Sequence, residues 1–515
     1  MADNLQIFKV YCEGGLNTNK DLLSQGEFQP GTATRLINYE PSLTGGYRKI
    51  SGYTNSYPNL PGTGKALGVC VANGINDGIF ACRAPETVAD DYFYYWDNST
   101  EAWVAISSGG NATMVDANKV RFVKYNWSEP RLLLVDGINP AAYYDGTTYT
   151  QVTDTNAPDA PKYATEFQSH IFLAGDSTDP YNVYFSAPLS ESDFSPANGA
   201  GVINVGFDVI QIKVFRNELF IFGTNNIKKL VGNNVADFAL QEVTQNLGCV
   251  ASDSVIEIGG DLLFMGPDGL RPISATDRIG DVELETISKN VQSIVNDIAL
   301  NYDLDNLNSV VIRQKSQFRI FLGASEASGI IGGLRQGREG GIGFEFGQIL
   351  GISATCADSG YIGQNEFVIH GDSSGDVHRQ ELGTSFDGTE IFSLFQTPYF
   401  HMGDPELRKN FLKVSTYLRS EGTANIVMGL VYDYEDEFVS NPTDFNLTTE
   451  GAAAFFNEAI YDNAGIIYDG NPSPILKTNI SGSGTSLAVK YVTNDTNPSH
   501  SIQGLVLLFG VGDRR

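Results

Sequence analysis

Five histidines, five cysteines and 61 acidic side chains are the material for chemistry in this chain of 515 residues, and their spacing gathers little of it into one place. The closest histidines are His370 and His378, which with Asp372 and Asp376 flank the turn Gly371-Asp372-Ser373-Ser374-Gly375. Imidazole and carboxylate together could hold a metal ion. A solvated hairpin turn explains the same residues. Pro61-Gly62-Thr63-Gly64-Lys65-Ala66 has part of the outline of a phosphate-binding loop. It lacks the earlier glycine, where Asn59 stands, and the final Ser or Thr, where Ala66 stands. Cys12, Cys70, Cys82, Cys249 and Cys356 are odd in number and show no CxxC spacing. They read as small buried thiols in a reducing compartment, not as a metal or disulfide framework. Gly371-Asp372-Ser373-Ser374-Gly375 has the letters of a Gly-x-Ser-x-Gly motif but reads as a hairpin turn, not a strand-to-helix nucleophile elbow, and no calcium-binding Asp ladder is present. A glycosidase needs two carboxylates at a set separation, and 61 acids hide any such pair. Only Trp96, Trp103 and Trp127 are available as tryptophan platforms for a sugar. The expectation is a chain with no catalytic residues, no metal site and no cofactor, and so not an enzyme.

One charged run stands out, Tyr432-Asp433-Tyr434-Glu435-Asp436-Glu437, at the exit of a strand. A solvated loop accounts for it. The sharper alternative makes Asp433, Glu435, Asp436 and Glu437 an acidic rim past which a polyanion slides without sticking.

The elements that must position these residues repeat. VIQIKVF, the turn Arg216-Asn217-Glu218, LFIFG and IKKLV follow one another from Val209; SVIEI, Gly259-Gly260-Asp261, LLFMG and LRPIS follow from Ser254. Short β-branched and aromatic runs bounded by Gly, Asn, Asp and Pro are strands joined by tight turns. The strand after the turn recurs near Ile79, Arg131, Ile171, Leu219, Leu262, Phe318 and Phe367. A repeat of roughly 40 to 55 residues is the length of one antiparallel propeller blade. The copies allow six or seven blades, because chain termini often share one. Residues 153–161 read as a linker between blades, Thr286 to Ala299 as a helix with apolar residues three and four apart, and Gly329 to Gly347 as a flexible loop.

Outside the array the texture differs. Residues 1–64 are dense in Gly, Pro, Asn and Ser and read as an extended N-terminal arm laid over a neighbouring surface. Residues 65–385 hold the propeller. From 386 to 515 longer alternating strands appear, and period-two alternation with one polar face predicts a β-sandwich-like domain. In that domain Leu412, Val414, Thr416 and Leu418 are expected on one face of a strand, and Ala424, Ile426, Met428, Leu430 and Tyr432 on one face of the next. Residues 456–470 read as a meandering surface segment. The fold class is thus all-β: a propeller with an N-terminal arm and a C-terminal sandwich.

Composition narrows function further. A formal net charge of −28 argues against gripping nucleic acid by neutralising phosphates and against docking on an anionic membrane. No basic-then-apolar leader opens the chain, and its longest apolar run, near LVLLFGV, is too short to span a bilayer.

GGLNT from Gly14, LINYE from Leu36, GGYRKISGY from Gly45, LFIFGTNNIKKLVG from Leu219, NLGCVASDSVIEIGGDLLFMGPDGL from Asn246 and SIQGLVLLFGVGDRR from Ser501 together resemble the tail nozzle, or tail hub, proteins of short-tailed bacteriophages, also called packaged-DNA stabilisation proteins. The likeness spans nearly the whole chain in texture and element order, without a catalytic motif. It implies a homo-oligomer, a hexameric ring below the portal-adaptor ring, which docks tail fibre or spike proteins. Its channel would retain packaged double-stranded DNA and pass it during ejection without specific binding. Location would be the virion tail, assembled in the bacterial host cytoplasm. Duplex DNA carries a negative charge every ~1.7 Å, so an acidic bore repels it and lets it slide. A carbohydrate-binding or glycoside-hydrolase propeller is the competing reading.

Overall fold

A computed structural model of the chain describes residues 5–87, 90–107, 119–274, 286–336, 342–436, 439–449 and 474–511. Each of the seven strands anticipated after a hairpin turn is the second strand of a separate antiparallel sheet: Ile79–Ala84, Pro130–Val135, His170–Ala174, Glu218–Phe222, Asp261–Gly266, Gln317–Phe321 and Asn365–Gly371. These sheets are blades 1 to 7 of a β-propeller. Five are four-stranded, the four strands of blade 6 begin a nine-stranded sheet, and blade 5 has three described strands, Ile256–Ile258, Asp261–Gly266 and Gly269–Pro272. Two-residue turns set the hairpin registers. Arg216 and Asn217 both take positive φ, 49° and 60°, between the paired Phe215 and Glu218. Gly259 and Gly260 do the same between Ile258 and Asp261. A primed turn matches strand twist and needs φ above zero at both central positions.

Each blade packs on the next through its own apolar cluster. Leu132 and Leu134 meet Phe80 and Phe93 between blades 1 and 2. Leu133 and Val135 meet Ile171 and Leu173 between blades 2 and 3. Alternation along one strand therefore serves two interfaces, and the central strands read as continuous apolar runs for that reason. Between blades 5 and 6 the helix Gln292–Asn301 packs Val295 and Ile298 into the core. It begins later than the periodicity predicts, after a 3-10 turn over Lys289–Val291.

Circular closure comes from the N-terminal region. Tyr53–Tyr57 pairs with Val377–Gln380 as the fourth strand of blade 7. The remaining strands of residues 1–64 lie in the C-terminal sandwich. Leu5–Tyr11, Tyr39–Pro41 and Tyr47–Lys49 join a sheet built on Lys409–Ser420 and His500–Val511. The facing sheet holds Ile391–Gln396, Leu487–Asp495, Asn425–Tyr432 and Phe445–Thr448, with Arg35–Ile37 at one side. Arg35–Ile37 also pairs in parallel with the last strand of blade 6, Ile342–Leu350, so one sheet runs from propeller into sandwich. Asn38 secures that seam, donating to the carbonyls of Leu350 (2.7 Å) and Phe392 (2.8 Å) and accepting from the Leu350 N–H (2.9 Å). Phe395 stacks on its cross-strand partner Tyr491 within the facing sheet, and Phe411 stacks on Tyr432 between the two sheets.

Two sequence expectations are corrected. The stretch from Gly329 to Gly347 is no loop but mostly two long strands, Ser328–Gln336 and Ile342–Leu350. Three of its glycines give clearance: a Cβ would lie 2.2 Å from the Ile320 carbonyl oxygen at Gly329, 2.3 Å from the Phe318 ring at Gly332 and 2.6 Å from the Tyr39 carbonyl oxygen at Gly347. On Lys409–Ser420 a bulge between Phe411 and Lys413 turns Leu412 outward, 40% exposed, and puts Phe411 in the core in its place. Val414, Thr416 and Leu418 face inward as expected, as do Ala424, Ile426, Met428, Leu430 and Tyr432. Residues 456–470 lie outside the described residues.

A charged knot sits where the N-terminal strands meet blades 6 and 7. Glu40 is 2% exposed and lies 3.1 Å from Arg48, 2.6 Å from Lys315 and 3.3 Å from Arg319. Glu381 pairs with Lys315 and Arg319. Burial alone would raise the Glu40 carboxyl; Lys315, Arg48 and Arg319 outweigh it and the opposing Glu381, and hold it below its usual range. Removing one member of a buried ion cluster strands the others without solvent. Arg319→Met should therefore cost about 3–5 kcal/mol, read as a lower urea midpoint by circular dichroism. An unchanged midpoint would show that Lys315 and Arg48 neutralise both carboxylates alone.

Candidate functional site

The innermost strands of the seven blades surround one axial cavity of about 460 Å³, within the size range of small-molecule sites. Side chains alternate along a strand, so every second residue of each inner strand turns to the bore. Five basic side chains line it, Lys119, Arg121, Lys124, Lys213 and Arg313, with four acids, Glu166, Asp253, Glu257 and Asp358. In a chain with 33 basic and 61 acidic residues, this local excess of cations runs against the overall charge.

The charges form two groups. At one end Asp253 accepts a bidentate pair from Arg121, both 2.9 Å, and lies 2.6 Å from Lys119. Lys119 also donates to the Leu307 carbonyl at 2.7 Å, and the Arg121 guanidinium lies over the Tyr163 ring. Burial pushes Asp253 up, but Arg121 and Lys119 prevail and hold it well below the usual carboxylate range. Bidentate charge-assisted bonds of this kind fix geometry, and the triad ties the inner strands of blades 2 and 5 together across the bore wall. At the other end Lys124 bonds Asp358 at 2.8 Å and the Val71 carbonyl at 3.1 Å. Arg313 donates to Ser359 at 3.0 Å, with Glu366 at 3.8 Å. Glu166 accepts from the Ser169 N–H (2.9 Å) and the Trp127 indole (3.3 Å). Lys213 is open to water yet encircled by the bore. Burial lowers its pKa first, with Lys124 and Arg313 pushing the same way against Asp358 and Glu257.

The residues singled out from sequence lie elsewhere. Asp433 begins a 3-10 turn after Asn425–Tyr432; its carboxylate accepts from the N–H groups of Thr485 (2.7 Å) and Ser486 (2.9 Å) and from the Thr485 hydroxyl (2.8 Å). Glu435 and Asp436 are exposed on the same turn, and Glu437 lies outside the described residues. Between them Tyr434 reaches His401 Nε2 at 2.7 Å. In the Asp372 turn, Asp372 bonds Ser374, the Asp376 N–H and His378, Asp376 accepts from the Asn59 N–H, and His370 stacks on His378 with centroids 5.0 Å apart. Lys65 and Ala66, from the loop-like motif, start the inner strand of blade 1. All five cysteines are buried thiols. Sequence reading missed the bore altogether, because its charges come one or two at a time from separate blades; Lys124 and Lys213 inside apolar strands were the available signal.

No family model and no curated protein matches this sequence. Among solved structures, the chain is similar to an exo-β-1,3-galactanase from Phanerochaete chrysosporium crystallised with galactose, at 9% identity over 89% of this chain and 100% of that one, TM-score 0.27. It is similar to an ancestral GH74 enzyme at 11% identity over 73% and 53% of the two chains, TM-score 0.38. The extracellular domain of a putative one component system from B. thetaiotaomicron gives 10% identity over 69% and 46%, TM-score 0.38. The expectation of a non-enzyme is corrected accordingly: glycoside hydrolases stand among the structures this chain is similar to. Likeness at these scores carries no activity across.

Buried histidines predict an acid-sensitive fold. Burial, with His378 and Arg319 nearby, pushes His370 down to about 3; burial, with Lys49 and Arg48, does the same to His500. Unfolded, both take a proton near pH 6.5, and folded they refuse it until about 3, so the unfolded state binds more protons between those values. Stability should fall as pH drops below 6.5, by up to about 1.4 kcal/mol per pH unit for each histidine. Urea midpoints between pH 7 and 5.5, where few carboxylates titrate, measure it. His370→Gln should flatten the slope; an unaltered slope would assign the effect elsewhere.

Proposed function

We propose that this chain is a ring-forming subunit of a virion tail, of the nozzle or hub kind, whose acidic assembly lets packaged DNA pass and whose outer surfaces dock an adaptor ring and fibres or spikes. The observation that carries the reading is where apolar side chains meet water. Of 19 large hydrophobic residues exposed among the described residues, seven fall within the first 43: Leu5, Ile7, Tyr11, Leu22, Leu23, Phe28 and Leu43. Leu5–Tyr11 pairs only with His500–Val511 among the described residues, which leaves an edge strand with Leu5 and Ile7 outward. Apolar side chains beside an open strand edge suit a surface that another subunit covers. A net charge of −28 per subunit, multiplied around a ring, supports passage of a polyanion over capture.

A carbohydrate-binding or carbohydrate-cleaving propeller is the second reading. The axial cavity favours it, since Glu166, Asp253, Glu257 and Asp358 bring carboxylates into one polar hollow.

Light scattering and negative-stain images of the purified chain separate the two. Closed rings are expected, and Ile7→Lys with Phe28→Ser should convert them to monomers of unchanged circular dichroism. A monomer at every concentration would overturn the assembly. In assembled particles, Glu435→Lys with Asp436→Lys, which leaves the Asp433 cap intact, should slow DNA release. Unaltered release kinetics would remove this turn from the channel wall.

A further inference from the structure

The open end of the axial cavity holds three cations from three blades, and they are unequally satisfied. Lys124 is spoken for by Asp358 and the Val71 carbonyl. Arg313 engages Ser359 and, loosely, Glu366, with half of its side chain exposed. Lys213 interacts with its charged neighbours through space alone, without a hydrogen bond among them. Its two nearest cations destabilise its charge, and Asp358, one of the acids that could relieve it, already serves Lys124 and the Val71 N–H (2.8 Å). A protein with a large excess of acids had many side chains with which to neutralise this ammonium. It instead sets Lys213 with Lys124 and Arg313 on the lining of a hollow large enough for a small molecule, the Asp253 triad lining the same hollow.

We propose that this end of the bore binds a small oxyanion, a carboxylate or a phosphate group, with Lys213 as central donor and Arg313 and Lys124 beside it. An anion there takes the hydrogen bonds that Lys213 and the outward N–H groups of Arg313 leave unused. The guanidinium fork suits a planar or tetrahedral oxyanion, and the ammonium supplies a point charge between blades. Glu166 and Glu257 border the same hollow and limit it to ligands whose charge is compact and whose remaining surface is hydroxylic. The inference is independent of ring assembly, because every group named comes from one chain.

Isothermal titration of the full-length protein with inorganic phosphate, D-glucuronate and D-glucose, at constant ionic strength and pH 7, tests it. Phosphate or glucuronate should bind at one site per chain, and glucose should not. Lys213→Met should weaken that binding at least tenfold without lowering the melting temperature, and Lys213→Arg should retain it. If Lys213→Met does not fold, Arg313→Gln should show the same loss. Failure of both anions to bind, equal binding of glucose, or anion binding untouched in the Met and Gln variants would each overturn the proposal. Glucose binding would favour neutral-sugar recognition, whatever the state of assembly.

Discussion

Glu40 is a carboxylate almost without solvent, and the architecture rests on what surrounds it. Its partners come from separate parts of the chain: Arg48 from the N-terminal hairpin, Lys315 and Arg319 from blade 6. Glu381, which shares Lys315 and Arg319, follows the third strand of blade 7. A buried ion cluster contributes little net stability against an apolar replacement. What this one contributes is position, because each charge has a single low-energy place. It pins the N-terminal strands at the point where a propeller sheet becomes a sandwich sheet. Asn38 then completes the backbone seam two residues away.

From that junction the two halves differ in how they are stabilised. The propeller is a closed ring of similar interfaces, each made by alternate residues of shared central strands. The sandwich is a single core that also takes in the interface between blades 5 and 6 and the helix Gln292–Asn301. A rigid relation between propeller and sandwich follows from the shared core and the continuous sheet. The bore and the exposed N-terminal edge are therefore held in fixed orientation.

Local signals were readable in the sequence and long-range ones were not. All seven second strands and the Arg216-Asn217 and Gly259-Gly260 turns could be placed, because β-branched runs and turn residues act over a few positions. Closure of blade 7 by Tyr53–Tyr57 was foreseen only as a shared terminus, since nothing local marks a partner more than 300 positions away. The glycines from Gly329 onward look like loop residues until Phe318 is set against Gly332. The bulge at Leu412 keeps an apolar residue where strict alternation also wants one, so composition cannot reveal it. In the candidate site the difficulty is sharper: Lys124, Lys213 and Arg313 stand on three blades, and their convergence exists only in the closed ring. Acidic runs such as that from Asp433 stand out by contrast, though Asp433 itself caps a turn.

The pairing of Leu5–Tyr11 with His500–Val511 also orders events in time. Leu5–Tyr11 is synthesised almost 500 residues ahead of its partner, so this pair cannot form until His500–Val511 has emerged. Blades 1 to 4, each built from consecutive strands, can form as they emerge. Until then the nascent chain carries Leu5–Tyr11 without its partner, and pairing residues almost 500 positions apart is the kind of non-local contact that slows folding. Leu5 and Ile7, which stay exposed in the folded chain, are thus apolar surface that a chaperone could hold while the rest of the chain folds.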